Sequence, residues 1–123
     1  MADTTLLLVD DEPSVLNLAS IFLQKAGFKV LTAPNGLEAI TIFQEIPSSI
    51  EILVTDVRMP GMDGLQLARS LRDSKPQLKV VFMSGYPASE DLQVEIDLGS
   101  AKFLPKPFTP QSIQMEVTSV ISG

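Results

Sequence analysis

The chain has 123 residues, nine basic and fifteen acidic side chains for a formal charge of −6, and no cysteine, tryptophan or histidine. That length suits one domain burying roughly two-thirds of its unfolded surface, while the missing residue types exclude disulfides, thiolate or imidazole metal sites and Ser-His-Asp triads. The acidic balance argues against direct nucleic-acid binding, which rests on clustered Lys and Arg. No apolar run approaches the roughly 20 residues of a membrane span, and the first residues lack a signal peptide's basic end, so a cytoplasmic protein with no membrane insertion is expected.

In chain order, Leu6 to Val9 comes first, a run too short for a helix and without alternation, as expected of a strand buried on both faces of a parallel sheet. Pro13 opens a helical pattern in which Val15, Ala19, Phe22 and Ala26 recur at i, i+4, i+7 and i+11, stopped by Gly27 as a C-terminal cap. Val30 to Ala33 forms a second strand, and Ala39, Ile42, Phe43 and Ile46 a second helical stripe closed by Pro47. Ile52 to Thr55 is the third strand; Asp63-Gly64 opens a third helix through Leu65, Ala68 and Leu71. Val80 to Met83 is the fourth strand. The stretch Leu92 to Leu98 alternates strictly, which by periodicity alone reads as a strand. A helix, weak or mobile, is expected there instead, because neighbouring parallel strands need a crossover. Phe103-Leu104 marks a short fifth strand, and Ile113, Val117, Val120 and Ile121 a last helix started by Pro110.

Five βα units without repeats or an internal linker make a doubly wound α/β domain, with a five-stranded parallel sheet in the common order 2-1-3-4-5. Pro105, lacking a ladder donor, belongs on an edge strand, where the fifth strand lies in that order. Residues 1–123 are expected to be this single domain, with no effector domain in the chain.

In such sheets ligands bind beyond the C-terminal ends of the strands. That rim receives Asp10-Asp11-Glu12 from strand one, Asp56 from strand three, Ser84-Gly85 from strand four and Lys106 from strand five. Most have an ordinary structural explanation, Asp11 and Glu12 as helix caps, Ser84-Gly85-Tyr86-Pro87 as a turn, and Lys106 as a solvated side chain, as has the nearby Asp63 as a cap; Asp56 is harder to dismiss, since an unpaired charge ending a buried strand is costly. Together they place several carboxylates and one ammonium on one rim. All-oxygen ligation without histidine or cysteine selects a hard ion, and magnesium is the expected occupant.

The motifs Leu8-Val9-Asp10-Asp11-Glu12, Asp56-Val57-Arg58-Met59-Pro60-Gly61-Met62-Asp63-Gly64, Met83-Ser84-Gly85-Tyr86 and Phe103-Leu104-Pro105-Lys106-Pro107-Phe108 stand in this order. With them the chain, over essentially its whole length, resembles the response regulator receiver domains of two-component signalling, which are flavodoxin-like (βα)5 sandwiches. The resemblance implies that Asp56 is the phosphoacceptor. It implies that Asp11, Asp56 and the backbone carbonyl of Arg58 ligate Mg2+, with Asp10 acting through a bound water. It further implies that Lys106 pairs with Asp56 or its phosphoryl group, that Ser84 bonds a phosphoryl oxygen, and that the Lys106-Pro107 bond is cis. The donor would be the phosphohistidine of a histidine kinase or phosphotransfer protein. Ser84 and Phe103 would then act as the switch, reshaping the surface of the fourth helix, fifth strand and fifth helix for a downstream protein, an attached output domain or a phosphorylation-dependent dimer. Such a domain is a signalling element rather than an enzyme, though it catalyses its own phosphoryl transfer and slow autodephosphorylation.

Two departures bear on this. Phe103 stands where the family often has tyrosine, and Arg58 and Tyr86 lie where it tunes dephosphorylation. The alternatives are a phosphorylation-independent interaction module on the same fold, and an aspartyl-intermediate phosphatase. The phosphatase is disfavoured by Arg58 at the position where such hydrolases carry a second acid. A flavin carrier is disfavoured by the acidic first loop.

Overall fold

The computed structural model describes residues 4–99 and 101–122. Strands and helices alternate without exception: β1 (Thr5–Val9), α1 (Pro13–Lys25), β2 (Lys29–Ala33), α2 (Gly36–Glu45), β3 (Ile50–Asp56), α3 (Gly64–Ser74), β4 (Lys79–Ser84), α4 (Glu90–Asp97), β5 (Ala101–Pro105) and α5 (Pro110–Ser122). All strand pairs are parallel, and the sheet order is β2-β1-β3-β4-β5.

The absence of alternation in the central strands has its cause here, since helices cover both faces. Leu6, Leu7, Leu8 and Val9 are all fully buried, yet they divide by parity. Leu7 and Val9 pack with Ala39, Phe43, Leu67, Leu71 and Leu92 of α2, α3 and α4, whereas Leu6 and Leu8 pack with Ala19, Leu23, Ile113 and Val117 of α1 and α5. Each such side chain contributes about 1.5–3 kcal/mol of burial. The edge strands depart from the two-sided expectation: in β2 Val30 and Leu31 are half-buried and Thr32 is exposed, and in β5 Phe103 is half-buried.

The opposite edge is β5, as Pro105 requires. Lys106 N donates inward to Ser84 O at 2.8 Å, so the nitrogen of Pro105, one residue earlier, faces the open side, where no donor is missed. The stretch Leu92 to Leu98 is helical through Asp97, as the crossover demands, with Leu92 buried against β5. Gly27, with φ +101, ends α1 in the left-handed conformation expected of its cap. The stripe of α1 is carried by Ala19 and Leu23, the latter outside the sequence reading.

Candidate functional site

The register of the sheet brings the four expected strand ends to one rim. Asp56 closes β3 opposite Met83, and Ser84 closes β4 opposite Pro105. Asp10 follows β1, its N–H donating to Ala33 O of β2 at 3.3 Å. One carboxylate oxygen from each of Asp10, Asp11 and Asp56 lies within 4.8 Å of the others. Asp10 is fully buried, Asp56 is 6% exposed and Ser84 5% exposed, while Asp11 is open to solvent.

Lys106 supplies the opposing charge. Its Nζ lies 2.9 Å from Asp10 Oδ2 and 3.3 Å from Asp56 Oδ1, so the ammonium bridges both buried carboxylates and sits closer to Asp10. Burial alone would lower the lysine's pKa. The hydrogen bond and charge of Asp10, reinforced by Asp56, outweigh that and raise it. For Asp56 the balance goes the other way. Desolvation and the neighbouring Asp10 push its carboxyl up from 3.8 to about 6, against the partial opposition of Lys106, with a smaller upward push from Asp11.

The remaining Asp10 oxygen, Oδ1, accepts from Glu12 N at 2.9 Å, so Asp10 is fixed at both ends. Glu12, at the N-cap of α1, makes no side-chain cap bond, so its expected capping role is not realised by its own carboxylate. Asp63 does cap α3: its side chain accepts from Gln66 N at 2.8 Å, and Gln66 Oε1 accepts from Asp63 N at 3.1 Å, a full capping box. Ser84 Oγ accepts from Tyr86 N at 3.0 Å, so the turn expected there and the placement of the hydroxyl at the rim coexist. Phe103 is half-buried against the core that includes Leu92, and the Lys106-Pro107 bond is cis.

Two features escaped the sequence reading. The guanidinium of Arg58 lies 3.9 Å from the ring centroid of Tyr86, joining the loops after β3 and β4 across the mouth of the site, and nothing in the sequence pairs these residues. Gly64 packs so closely under the site that a Cβ there would lie 2.2 Å from the backbone oxygen of Asp56. The Asp63-Gly64 pair signalled a helix start but not this approach.

The donor set is made of oxygen alone, and three clustered carboxylates against one ammonium leave excess negative charge. Both properties suit a hard divalent cation such as Mg2+. Among the described residues no helix is long and apolar enough to cross a membrane.

The family model of the response regulator receiver domain matches residues 6–118. The chain is 40% identical over 119 residues to the sensor kinase CckA of Brucella abortus (strain 2308), covering 95% of this chain and 12% of that protein. The next curated relatives are covered over 51% of their length, so the chain spans about half or less of these proteins. Among solved structures, a receiver domain protein from Clostridium thermocellum superposes with a TM-score of 0.88 at 28% identity, over 97% of this chain and 94% of the other. The CheX-CheY-BeF3-Mg2+ complex from Borrelia burgdorferi superposes with a TM-score of 0.86 at 25% identity, over 96% of this chain and 89% of that chain.

Proposed function

The chain belongs to the response regulator receiver domain family of two-component signalling, and from that premise we propose that Asp56 accepts a phosphoryl group from the phosphohistidine of a partner histidine kinase or phosphotransfer protein. The observation that carries this reading is the meeting of the Asp10, Asp11 and Asp56 carboxylates within 4.8 Å, with Lys106 reaching two of them. Burial and Asp10 push the metal-free Asp56 carboxyl up to about 6, so above that pH it is present as the carboxylate that can attack.

An Asp56 oxygen attacks phosphorus in line with the P–N bond. The O–P bond forms as the P–N bond breaks, and the departing imidazole nitrogen keeps the electron pair and takes a proton from solvent. Lys106 screens the charge on the transferred group, and the Ser84 hydroxyl donates to one of its oxygens. Asp11, Asp56 and the Arg58 backbone carbonyl would hold Mg2+, with Asp10 acting through water, and the ion supplies positive charge for phosphoryl oxygens. An apolar groove of about 310 Å³ between α1 and the loop after β5, lined by Val15, Leu18, Pro107 and Phe108, adjoins Lys106 and offers the donor protein a resting place.

Output follows as a population shift. Ser84 turns toward the phosphoryl group, Phe103 takes the released space, and the α4-β5-α5 surface changes for a downstream protein, an attached output domain or a second copy. Residues 1–123 act as one receiver unit in the cytoplasm, which catalyses its own phosphorylation and slow dephosphorylation. The test is intact mass after incubation with Mg2+ and acetyl phosphate or a phosphorylated kinase, under conditions that preserve an acyl phosphate. The wild-type chain gains one phosphoryl group, whereas Asp56→Asn and magnesium-free samples gain none. No gain by wild type with any donor overturns the proposal.

A further inference from the structure

The helix α4, Glu-Asp-Leu-Gln-Val-Glu-Ile-Asp, carries four carboxylates and no basic side chain. Its inward face is accounted for. Leu92 is buried, Ile96 packs on the same core, and Glu95, 15% exposed, meets Arg69 Nε of α3 at 3.5 Å. Its outward face is not. Val94 is 56% and Leu98 72% exposed, and at i and i+4 they form one apolar pair. Glu90 and Asp91 precede Val94 by four and three residues, Asp97 follows it by three, and all three are exposed.

The two ends of this helix differ electrostatically. Glu90 and Asp91 sit in the first turn beside the Ser89 cap, where the positive end of the helix dipole compensates them. Asp97 sits in the last turn, where the dipole is negative, and among the described residues its carboxylate accepts the one bond of a neutral donor, Gln93 Nε2 at 2.9 Å. Lys102 does not relieve it. Along β5, Ala101 and Phe103 pack on the α4 side and Leu104 on the α5 side, so alternation turns Lys102 toward α5. The end of α4 that carries Asp97 lies beside the exposed Leu98, while Arg69 and Arg72 of α3 act on Glu95 of the inward face. By contrast, the exposed pair Leu18 and Ile21 on α1 has no ionised neighbour on its own helix before Lys25.

We infer that the outward face of α4 docks a basic amphipathic segment of a partner protein, its lysines or arginines meeting Asp91, Asp97 and the last carbonyls of α4 while its apolar side chains cover Val94 and Leu98. This rests on the reading of α4 as part of the output surface and gives the output partner a chemistry. The apolar pair is small, so the contact is a weak, salt-sensitive one.

The test titrates the full chain at low salt with a synthetic amphipathic helix of about four turns, leucine on one face and lysine on the other, and maps amide shifts by NMR. Shifts centre on residues 90–98 and binding weakens with salt. The variants Asp91→Asn/Asp97→Asn and Val94→Ser/Leu98→Ser each lose about fivefold or more in affinity. Glu38→Gln/Glu45→Gln on α2, with the same change in net charge, stays within about twofold, which excludes attraction to the acidic chain as a whole. Equal loss in the α2 variant, shifts centred elsewhere, or equal binding of a glutamate-for-lysine peptide overturns the inference. Repeating the titration with Mg2+ and beryllofluoride separates the two readings. Binding at α4 that beryllofluoride leaves unchanged keeps the docking face and counts against the switch. Beryllofluoride uptake at Asp56 with no peptide binding in either state removes the docking face alone.

Discussion

Replacing Asp56 by asparagine should stabilise the metal-free protein at neutral pH, although it destroys the site. The native carboxyl is raised from 3.8 to about 6 by burial and by Asp10, so between those values the native state holds a proton that the unfolded chain has released. Stability therefore falls as pH rises through that window, with about half of the loss present by pH 5 and nearly all by pH 7. The full shift corresponds to about 3 kcal/mol. Because the mouth of the site is open to water, a gain of about 1–3 kcal/mol for Asp56→Asn at pH 8 is expected. Asparagine keeps the volume, and Lys106 keeps Asp10. The assay is urea unfolding of both proteins in chelator from pH 4.5 to 8, with unchanged m-values. The difference between them, about a third of its full size at pH 4.5 and growing to a plateau above pH 7, isolates the titration of Asp56 from that of other carboxylates. A variant no more stable than wild type at pH 8, or a gap that does not vary with pH, would refute the reasoning.

Three other substitutions probe the surroundings. Lys106→Met leaves the fully buried Asp10 without its cation and should cost about 3–5 kcal/mol, read as a fall in the urea midpoint. Gly64→Ala drives a methyl group against the backbone oxygen of Asp56. It should destabilise by about 1–3 kcal/mol and also weaken Mg2+ binding, measured by calorimetric titration, because the strand end must shift. Asp63→Ala removes the α3 cap at a cost of about 1 kcal/mol, while phosphorylation at Asp56, followed by mass, is retained.

The fold was readable because the core strands announce themselves. Leu6 to Val9 and Val80 to Met83 are apolar without a break, and only a sheet covered on both faces makes that economical in so short a run. Where a strand is less covered, as in β2, the same apolar signal overstates burial, since the sequence does not show which neighbours are missing. Over Leu92 to Leu98 the local pattern points to the wrong element, and the requirement for a crossover decides against it. Buried Leu92 and half-buried Ile96 hold the core side of that short helix, so few of its positions carry a helical period. The acidic and basic site residues were legible because each follows directly on a buried strand. Their bonding was not. That Lys106 lies nearer Asp10 than Asp56, and that Arg58 stacks on Tyr86, are facts of distance between segments that no spacing in the chain encodes.

The bond between Lys106 and Asp10 joins residues 96 positions apart and closes a sheet whose middle strands lie between them. A polypeptide emerging from the ribosome can show its first three strands, and with them every acidic group of the centre, well before the amine arrives. Completion of the Lys106–Asp10 pair is thereby postponed until β5 has been made. A truncated or half-made copy that lacks β5 and the residue after it lacks the cation that the Asp10 and Asp56 carboxylates share.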